Sequence, residues 1–405
     1  MTGDRFRHDY AKLVATLVRR VGVDRLELVE DAVQAAFETA LATWTTGGEP
    51  ANPTGWLYRV ASNHLIGELR QRATRSAILA AAVATDADGV ADEPRFAAEI
   101  EDDLLRMLFV CCDDDIPRES QLVLALKTLC GFSTDEIAQR LFTTEANVHK
   151  RLARAREKLR DHATLEPPAD LAPRAPAVHG VLYVLFAEGY LSTHAEHAIR
   201  RELCDEAIRL ATLLADHSVG ATPTTFALLA LMHLHVARLG ARVDATGGLL
   251  LLEEQDRSQW EPEHLQAGAA WLARSATGNE LSRFHAEAGI AAAHCFAPSF
   301  AETRWDQIVE LYDLLDRVVP SPLHRLNRSV AIAELHGPDA ALATIEASGE
   351  APPSWLADSY MWDAVLADLH RRAGHEQLAA QHRARALDLA PTDAIRTVLR
   401  RRLES

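Results

Sequence analysis

The residues best suited to chemistry lie between positions 140 and 160, where seven cations accompany only two carboxylates. Cationic and amide side chains on one helix can hydrogen-bond to base edges in a major groove and hold the flanking phosphates. The side chains off the predicted buried face are Asn147, His149, Lys150, Arg151, Arg154, Arg156, Lys158 and Arg160. This pattern predicts DNA binding, and a solvated basic face on an ordinary amphipathic helix is the alternative.

Two short helices around a tight turn would position these side chains. Ser133 and Glu136 have the spacing of a capping box, in which each side chain satisfies a backbone N–H at the other position. Residues 142–144 interrupt the apolar pattern, and Thr143 or Thr144 can cap a second helix. The apolar positions are Ile137, Ala138 and Leu141 on the first helix, then Val148, Leu152, Ala155 and Leu159 on the second. Together these features predict a helix-turn-helix.

The net charge of −16 is unevenly distributed along the 405 residues. Residues 1–163 carry 21 Lys and Arg against 26 Asp and Glu, whereas residues 164–405 carry 21 against 32. A mostly acidic body discourages indiscriminate DNA binding, which indicates that a partner supplies much of the affinity. The length and a hydrophobic content of 48% predict two to four soluble globular domains.

The cysteines fit neither a disulfide nor a zinc framework, because they are odd in number and form no CxxC pair. We expect small buried hydrophobic side chains at Cys111, Cys112, Cys130, Cys204 and Cys295. A reducing cytoplasm is the predicted compartment. The polar N-terminus predicts no export, and no uncharged apolar run reaches the roughly 18 residues that a membrane helix needs.

Helices are predicted for residues 5–75. One apolar stripe contains Tyr10 and Leu17, and a second runs from Leu28 to Leu41. The side chains predicted on the solvent side of the second stripe are Glu30, Asp31, Gln34 and Glu38. Pro53 can begin the next helix, which ends in a basic tail that includes Arg70, Arg72 and Arg75.

Residues 76–98 change character, being rich in alanine and acids, and predict a flexible acidic linker. Two further helices, at 102–112 and 118–129, are expected to pack on the helix-turn-helix. Prolines at 167, 168, 173 and 176 then indicate a domain boundary.

The helix-turn-helix resembles the −35-binding part of bacterial sigma factors of the extracytoplasmic-function (ECF) type. The matching residues are Ser133, Glu136, Ile137, Ala138, Leu141, Val148, Arg151, Leu152, Arg154, Ala155, Arg156, Lys158, Leu159 and Arg160. Phe142 departs from this pattern where glycine is usual, as does Ala146 where glycine or proline is common. The segment at 55–72 resembles the −10-binding helix of the same family, with Ser62 in place of a usual arginine and Gly67 in place of a usual aspartate.

This resemblance implies a site for each of three contacts. Promoter DNA at the −10 element would meet Arg59, Asn63, His64, Arg70 and Arg72. The −35 element would meet Asn147, Val148, His149, Lys150, Arg151, Arg154 and Arg156. Core RNA polymerase would meet Asp31, Gln34 and Phe37. A solvated helix face is the alternative for Asn63 and His64.

The last third of the chain resembles tetratricopeptide (TPR) repeats. Ala286, Ala293 and Pro298 share their spacing with Ala379, Ala386 and Pro391. Alanine-rich helix pairs without true repeat geometry are the alternative. His194 and His197 could share a helix face, but no third ligand is evident, so polar surface is the expectation.

The sequence therefore predicts an all-α protein with two small sigma-like domains and a helical, TPR-like C-terminal extension. The expected divisions are 1–75 (region 2), 76–98 (linker), 99–163 (region 4), 177–265 (helical extension) and 266–405 (TPR-like repeats). The resemblance implies a sigma factor that recruits core polymerase to promoter DNA, with a tail that folds back or binds a peptide. No catalytic constellation, metal, cofactor or membrane partner is predicted. A helix-turn-helix regulator with a TPR sensor is the alternative, and a TPR scaffold with an incidental basic helix is a third.

Overall fold

The computed structural model describes residues 3–79, 96–141, 143–162, 172–191, 199–244, 248–347, 349 and 351–404. These residues form helices and turns, and their only β-type pairing is one isolated bridge between Val243 and Leu249. The predicted all-α fold is confirmed. The α-helices are α1 (Gly3–Val21), α2 (Leu26–Gly47), α3 (Pro53–Leu79), α4 (Phe96–Cys111), α5 (Arg118–Thr128), α6 (Thr134–Arg140), α7 (Glu145–His162), α8 (Ala175–Tyr190), α9 (Arg201–Asp216), α10 (Pro223–Val236), α11 (Pro262–Ser275), α12 (Arg283–Phe296), α13 (Trp305–Val318), α14 (Pro322–His336), α15 (Pro338–Ala347), α16 (Ser354–Ala357), α17 (Tyr360–Arg372), α18 (Glu376–Asp388) and α19 (Asp393–Glu404).

The chain divides into two units, Met1–Leu185 and Phe186–Ser405, with the boundary inside α8. In the first unit, α1 packs against α2 and α4, and α2 packs against α3. Phe37 and Leu57 are fully enclosed there, and the Phe37 ring lies 6.5 Å from that of Tyr10. Burial of these large side chains, worth about 1.5–3 kcal/mol each, holds the three N-terminal helices together.

The helix-turn-helix forms as its local sequence predicts. The Ser133 amide donates to Glu136 Oε2 at 2.7 Å, and the Glu136 amide donates to Ser133 Oγ at 3.1 Å, which confirms the capping box. Thr144 Oγ1 accepts from the Asn147 amide at 3.3 Å, so Thr144 caps α7. The predicted stripe on α7 is buried, at Val148, Leu152, Ala155 and Leu159.

A glycine sets the entry to this motif. Gly131 has a φ of 63°, in the left-handed region that a side chain disfavours. The next amide, that of Phe132, returns to the Leu126 carbonyl at 3.1 Å, which satisfies an orphan acceptor near the end of α5. Phe132 is fully buried and anchors the connection between α5 and α6.

Some predicted boundaries differ from the structure. Helix α3 continues to residue 79 and α4 begins at residue 96, so helical backbone occupies both ends of the predicted linker. Residues 80–95, Phe142, and the His194 and His197 pair lie outside the described residues. The predicted helices at 102–112 and 118–129 correspond to α4 and α5.

The second unit is a succession of helices in which neighbours along the chain pack on one another. Close contact requires small residues: a Cβ on Gly268 of α11 would lie 2.7 Å from the Leu234 side chain of α10. Three buried clusters follow, around Ile308, around Leu342 and around Ala386. Ala286 and Ala386, both at predicted small-residue positions, are fully buried.

Replacing Ser133 by alanine tests the capping box. The change removes one hydrogen bond at the start of α6, which should destabilise that turn by about 1 kcal/mol and speed exchange of the Glu136 amide roughly fivefold. Hydrogen exchange followed by NMR or mass spectrometry measures this. Glu136→Gln is the matched control because glutamine also satisfies the box. Equal exchange in all three proteins would contradict the role given to Ser133.

Candidate nucleic-acid interface

Helix α7 presents most of its predicted DNA-contacting side chains to solvent. Asn147, His149, Lys150 and Arg154 are exposed. His149 Nε2 lies 3.9 Å from Glu145 Oε1, one turn earlier. Exposed donors on the N-terminal half of the second helix are what major-groove recognition requires.

Val148 is a correction within this set. Its side chain is 0% exposed and packs into the core between α5 and α7, so it does not reach a base edge. Apolar residues recur on this helix at every third or fourth position, and that spacing also placed Val148 on the predicted apolar stripe. This prediction of burial is confirmed. Val148 therefore helps to hold the helix in the core, and DNA contact stays a prediction for its exposed neighbours.

Two arginines of α7 are held by carboxylates of the same unit. Arg151 Nη2 lies 2.6 Å from Glu119 Oε2, at the start of α5. Arg156 donates to Glu27 Oε1 at 3.2 Å and also to Glu30, both on α2. Their side chains retain 24% and 21% exposure respectively. In this arrangement Arg156 connects α7 to α2.

Glu30 lies at the centre of that connection, and its prediction as a solvent-side residue was wrong. The residue is 6% exposed, and its Oε1 accepts from Thr128 Oγ1 of α5 at 2.8 Å while Oε2 accepts from Arg156. Burial raises the pKa of the nearby Tyr10 phenol well above its usual value, and the charge of Glu30 raises it further. A buried carboxylate needs such partners because it has lost its water.

A second ion pair joins the same parts of the chain. Arg19 Nη1 of α1 donates to Asp103 Oδ1 of α4 at 2.9 Å, and Asp103 is 4% exposed. Arg106 lies 3.9 Å from the same oxygen. Buried acids at both Glu30 and Asp103 therefore contribute to the contact between the N-terminal helices and the helices at 96–162.

Helix α3 displays the five residues predicted to meet the −10 element. All five are exposed, namely Arg59, Asn63, His64, Arg70 and Arg72. Leu57, Ala61 and Leu65 are buried on the opposite side of this helix. Trp56 is half-buried and meets the Trp44 ring edge to face at 5.3 Å, as core packing predicts. The exposed surface can therefore carry cations and an amide toward DNA.

The loop before Trp56 is ordered by its own side chains. Asn52 Oδ1 accepts from the Gly55 amide at 2.9 Å, and the Trp56 amide donates to the Asn52 carbonyl at 3.0 Å. A Cβ on Gly55, in the first turn of α3, would lie 2.6 Å from the Asn52 side chain, so a larger residue there would displace Asn52. The arrangement fixes the entry to α3.

The predicted polymerase-contact residues on α2 separate into two groups. Asp31 and Gln34 are exposed, whereas Phe37 is 1% exposed and belongs to the core. Phe37 is corrected to a supporting residue, because a buried ring offers no surface to a partner. The prediction of Leu41 on the apolar stripe of α2 was wrong, because its side chain is 56% exposed, beyond Glu38. A single exposed apolar side chain is common on protein surfaces and does not by itself identify a docking surface.

No cluster suited to a metal ion occurs among the described residues. The five cysteines are buried, as predicted. Burial raises the pKa of the Cys112 thiol to about 12 and raises the pKa of the Cys204 thiol well above its usual value, so both remain protonated at neutral pH. No helix in the described part of the chain combines the length and apolarity of a membrane span.

Comparison with known protein families agrees with this geometry. Residues 6–75 match Sigma-70 region 2, and residues 114–159 match Sigma-70, region 4. The chain belongs to the sigma-70 family. Its order of region 2 followed by region 4 is that of ECF-type sigma factors, which confirms the resemblance drawn from the sequence. The matches to regions 2 and 4 support the two partners that this resemblance implies, core RNA polymerase and promoter DNA.

The family relationship extends beyond the two sigma regions. Residues 174–276 match a family of unknown function, DUF6596. An uncharacterized protein of Rhizobium meliloti (strain 1021) is 33% identical over 385 residues, covering 94% of this chain and 90% of that protein. No solved structure matches the chain. These matches do not confirm the TPR resemblance, which stays a prediction.

A double-mutant cycle tests the contact between Glu30 and Arg156. We expect Glu30→Gln and Arg156→Gln together to destabilise the first unit by less than the sum of the single changes, with a coupling of roughly 0.5–3 kcal/mol. Hydrogen exchange at the core amides of α2 measures the opening of the first unit separately from that of the second unit.

Glu27 supplies the matched control for that cycle. Its side chain is 52% exposed, so the cycle of Glu27→Gln with Arg156→Gln should give a coupling below about 1 kcal/mol. Additive effects of the Glu30 and Arg156 changes would show that the two side chains do not act together.

Proposed function

We propose that this sigma-70-family chain carries core RNA polymerase to promoters, using separate helices for polymerase, the −10 element and the −35 element. The polymerase surface includes Asp31 and Gln34 of α2. Helix α3 meets the −10 element through Arg59, Asn63, His64, Arg70 and Arg72. Helix α7 meets the −35 element through its exposed residues and Arg151. RNA synthesis itself belongs to the polymerase, in the cytoplasm.

The occurrence of both sigma regions in one chain is the observation that carries this proposal. A regulator that binds only duplex DNA needs the helix-turn-helix but has no use for a second helix of exposed cations and amides at 59–72. Opening a promoter requires single-strand bases to be caught after they unstack, together with cations along the backbone. The exposed side of α3 offers those groups.

In this proposal, arginines of helix α7 make two kinds of contact, one with DNA and one with the acids of α2. Arg154 and Lys150 are exposed and can bind DNA without rearrangement. Arg156 is held by Glu27 and Glu30, and we infer that a phosphate competes with these two carboxylates for its guanidinium. Promoter binding through Arg156 is therefore coupled to separation of α7 from α2.

The C-terminal unit is proposed to regulate initiation by binding a peptide or another part of the chain. Its support is the matching of residues 174–276 to a family of their own and the continuous helical architecture that follows. A succession of packed helix pairs offers an extended surface of the kind that helical-repeat proteins use for binding.

Run-off transcription with purified core polymerase tests the main proposal. The intact chain should support promoter-specific synthesis and copurify with the core enzyme, and Asp31→Lys should reduce both at least tenfold because it reverses charge on the contact surface. Asp24→Lys, at another exposed acid of the N-terminal helices, is the control and should retain activity. Unchanged activity of Asp31→Lys would remove α2 from the polymerase contact.

The assignment of α7 predicts a change in salt dependence. Arg154→Ala should weaken promoter binding by the holoenzyme and reduce the slope of log K against log salt by about 1, as loss of one phosphate contact does. Arg304→Ala, at an exposed arginine paired with Asp306 in the C-terminal unit, is the matched control. Filter binding or fluorescence anisotropy across a salt series measures the slope, and identical slopes for both variants would reject the assignment.

A further inference from the structure

Three arginines of the C-terminal unit form a cationic cluster. Arg238 lies just beyond Ala237, the C-cap of α10, and is 6% exposed. Arg242 ends a 3₁₀ turn at Gly240–Arg242, and Arg257 begins another at Arg257–Gln259. The two turns pack on each other. We refer to Arg238, Arg242 and Arg257 as the arginine cluster.

The described contacts of this cluster are all to neutral groups. Arg238 Nη2 lies 3.1 Å from Tyr190 Oη and 3.0 Å from His235 Nδ1. Arg242 donates to the Tyr190 carbonyl at 2.5 Å, and its guanidinium lies 3.8 Å from the Tyr190 ring centroid. Arg257 donates to two main-chain carbonyls, at 2.9 and 2.8 Å, and covers the Trp260 ring.

The arginine cluster thus makes no described contact with a carboxylate. Buried Nε of Arg238 and buried Nη2 of Arg257 have no hydrogen-bond partner there. Burial lowers the pKa of Arg242 and of Arg257, and the positive charge of Arg238 lowers both further. Burial also holds the pKa of His235 well below its usual value, with Arg238 and Arg242 adding to the effect. Buried charge of one sign is normally compensated, so an anion would be strongly favoured here.

A cavity reaches this cluster at Arg242. Its volume is about 290 Å³, roughly that of ten liquid waters. Its wall is mainly aliphatic, formed by residues that include Leu249, Met361, Val398 and Leu399. Arg402 and Asp368 also line the cavity and are paired with each other at 3.1 Å, which leaves Arg242 as the cation there without a described carboxylate contact. A larger groove of about 810 Å³ shares this pair with the cavity.

We propose that this cavity binds an amphipathic organic acid, with the carboxylate at Arg242 and the aliphatic chain against the leucine-lined wall. A guanidinium presents paired donors that match a carboxylate, and the arginine cluster supplies the positive field that favours its charged form. The aliphatic wall favours binding of a ligand with an apolar chain over binding of a small inorganic anion. This proposal goes beyond promoter recognition and does not depend on it.

Calorimetric titration of the full chain with three probes tests the proposal. Octanoate carries both the charge and the chain and has ten non-hydrogen atoms, acetate carries the charge alone, and 1-octanol carries the chain alone. Octanoate should bind at one saturable site, at least about tenfold more tightly than either of the others. Absence of octanoate binding, or equal binding of octanol or acetate, would overturn the proposal.

Variants separate the charge from the cavity. Arg242→Gln should weaken octanoate binding at least about tenfold, because it removes a charge-assisted hydrogen bond. Arg325→Gln, at an arginine paired with Asp316 in the same unit, is the matched control and should bind as the unmodified protein does. Undiminished affinity of Arg242→Gln would contradict the proposed head-group site.

A second variant covers the case in which Arg242→Gln fails to fold. Ala364 lines the cavity and is half-buried, so Ala364→Leu shortens the space for the chain without touching an arginine. Octanoate affinity should fall by at least about fivefold while acetate binding stays unchanged. Full octanoate affinity in this variant would place the chain elsewhere and reject the cavity.

Discussion

The buried carboxylate of Glu30 constrains how the two sigma regions pack in this structure. A charge with so little exposure must keep its partners, and these are a hydroxyl on α5 and a guanidinium on α7. Because the carboxylate itself belongs to α2, satisfying it ties α2 to the helix-turn-helix. Asp103 has the same effect between α1 and α4. Helix α7 is thereby oriented by electrostatics as well as by its own apolar stripe.

This arrangement gives α7 two competing uses. Its apolar stripe stays buried whether or not DNA is present, since it packs within region 4. Arg156 is different, because its donors reach either the acids of α2 or a phosphate. The net negative charge of the protein acts in the same direction, because acidic residues elsewhere in the chain compete with nucleic acid for the basic helix α7. Under the proposed function, binding to core polymerase would offset this competition by adding affinity for promoter DNA.

Local features were predictable from sequence, and features that depend on distant residues were not. The capping box at Ser133 and the stripe through Leu152 follow from spacing within a few residues, and both are present. Glu30 looked like a solvent-facing acid because its partner Arg156 lies 126 residues later in the chain. Phe37 was assigned through family resemblance, and the structure gives its ring to the core instead.

In the C-terminal unit, too, local features were predictable from sequence and features that depend on distant residues were not. Short alanine spacings predicted helices, and helices are present, with Ala286 and Ala386 buried at their contacts. The arginine cluster could not be predicted, since it is assembled from two turns and the end of a helix that have no shared motif. Uncompensated charge is a property of the folded arrangement, and it appears only when every neighbouring side chain is known.

Fluorescence of 2-aminopurine placed in the −10 element of a promoter duplex tests the sigma assignment most directly, because it reports unstacking of that base. The chain alone, core polymerase alone and the two together are compared on the same DNA. A sigma factor predicts a fluorescence rise only when both proteins are present, and a smaller rise when Asn63 is replaced by alanine. Specific duplex binding by the chain alone, with no opening when core polymerase is added, would contradict the assignment.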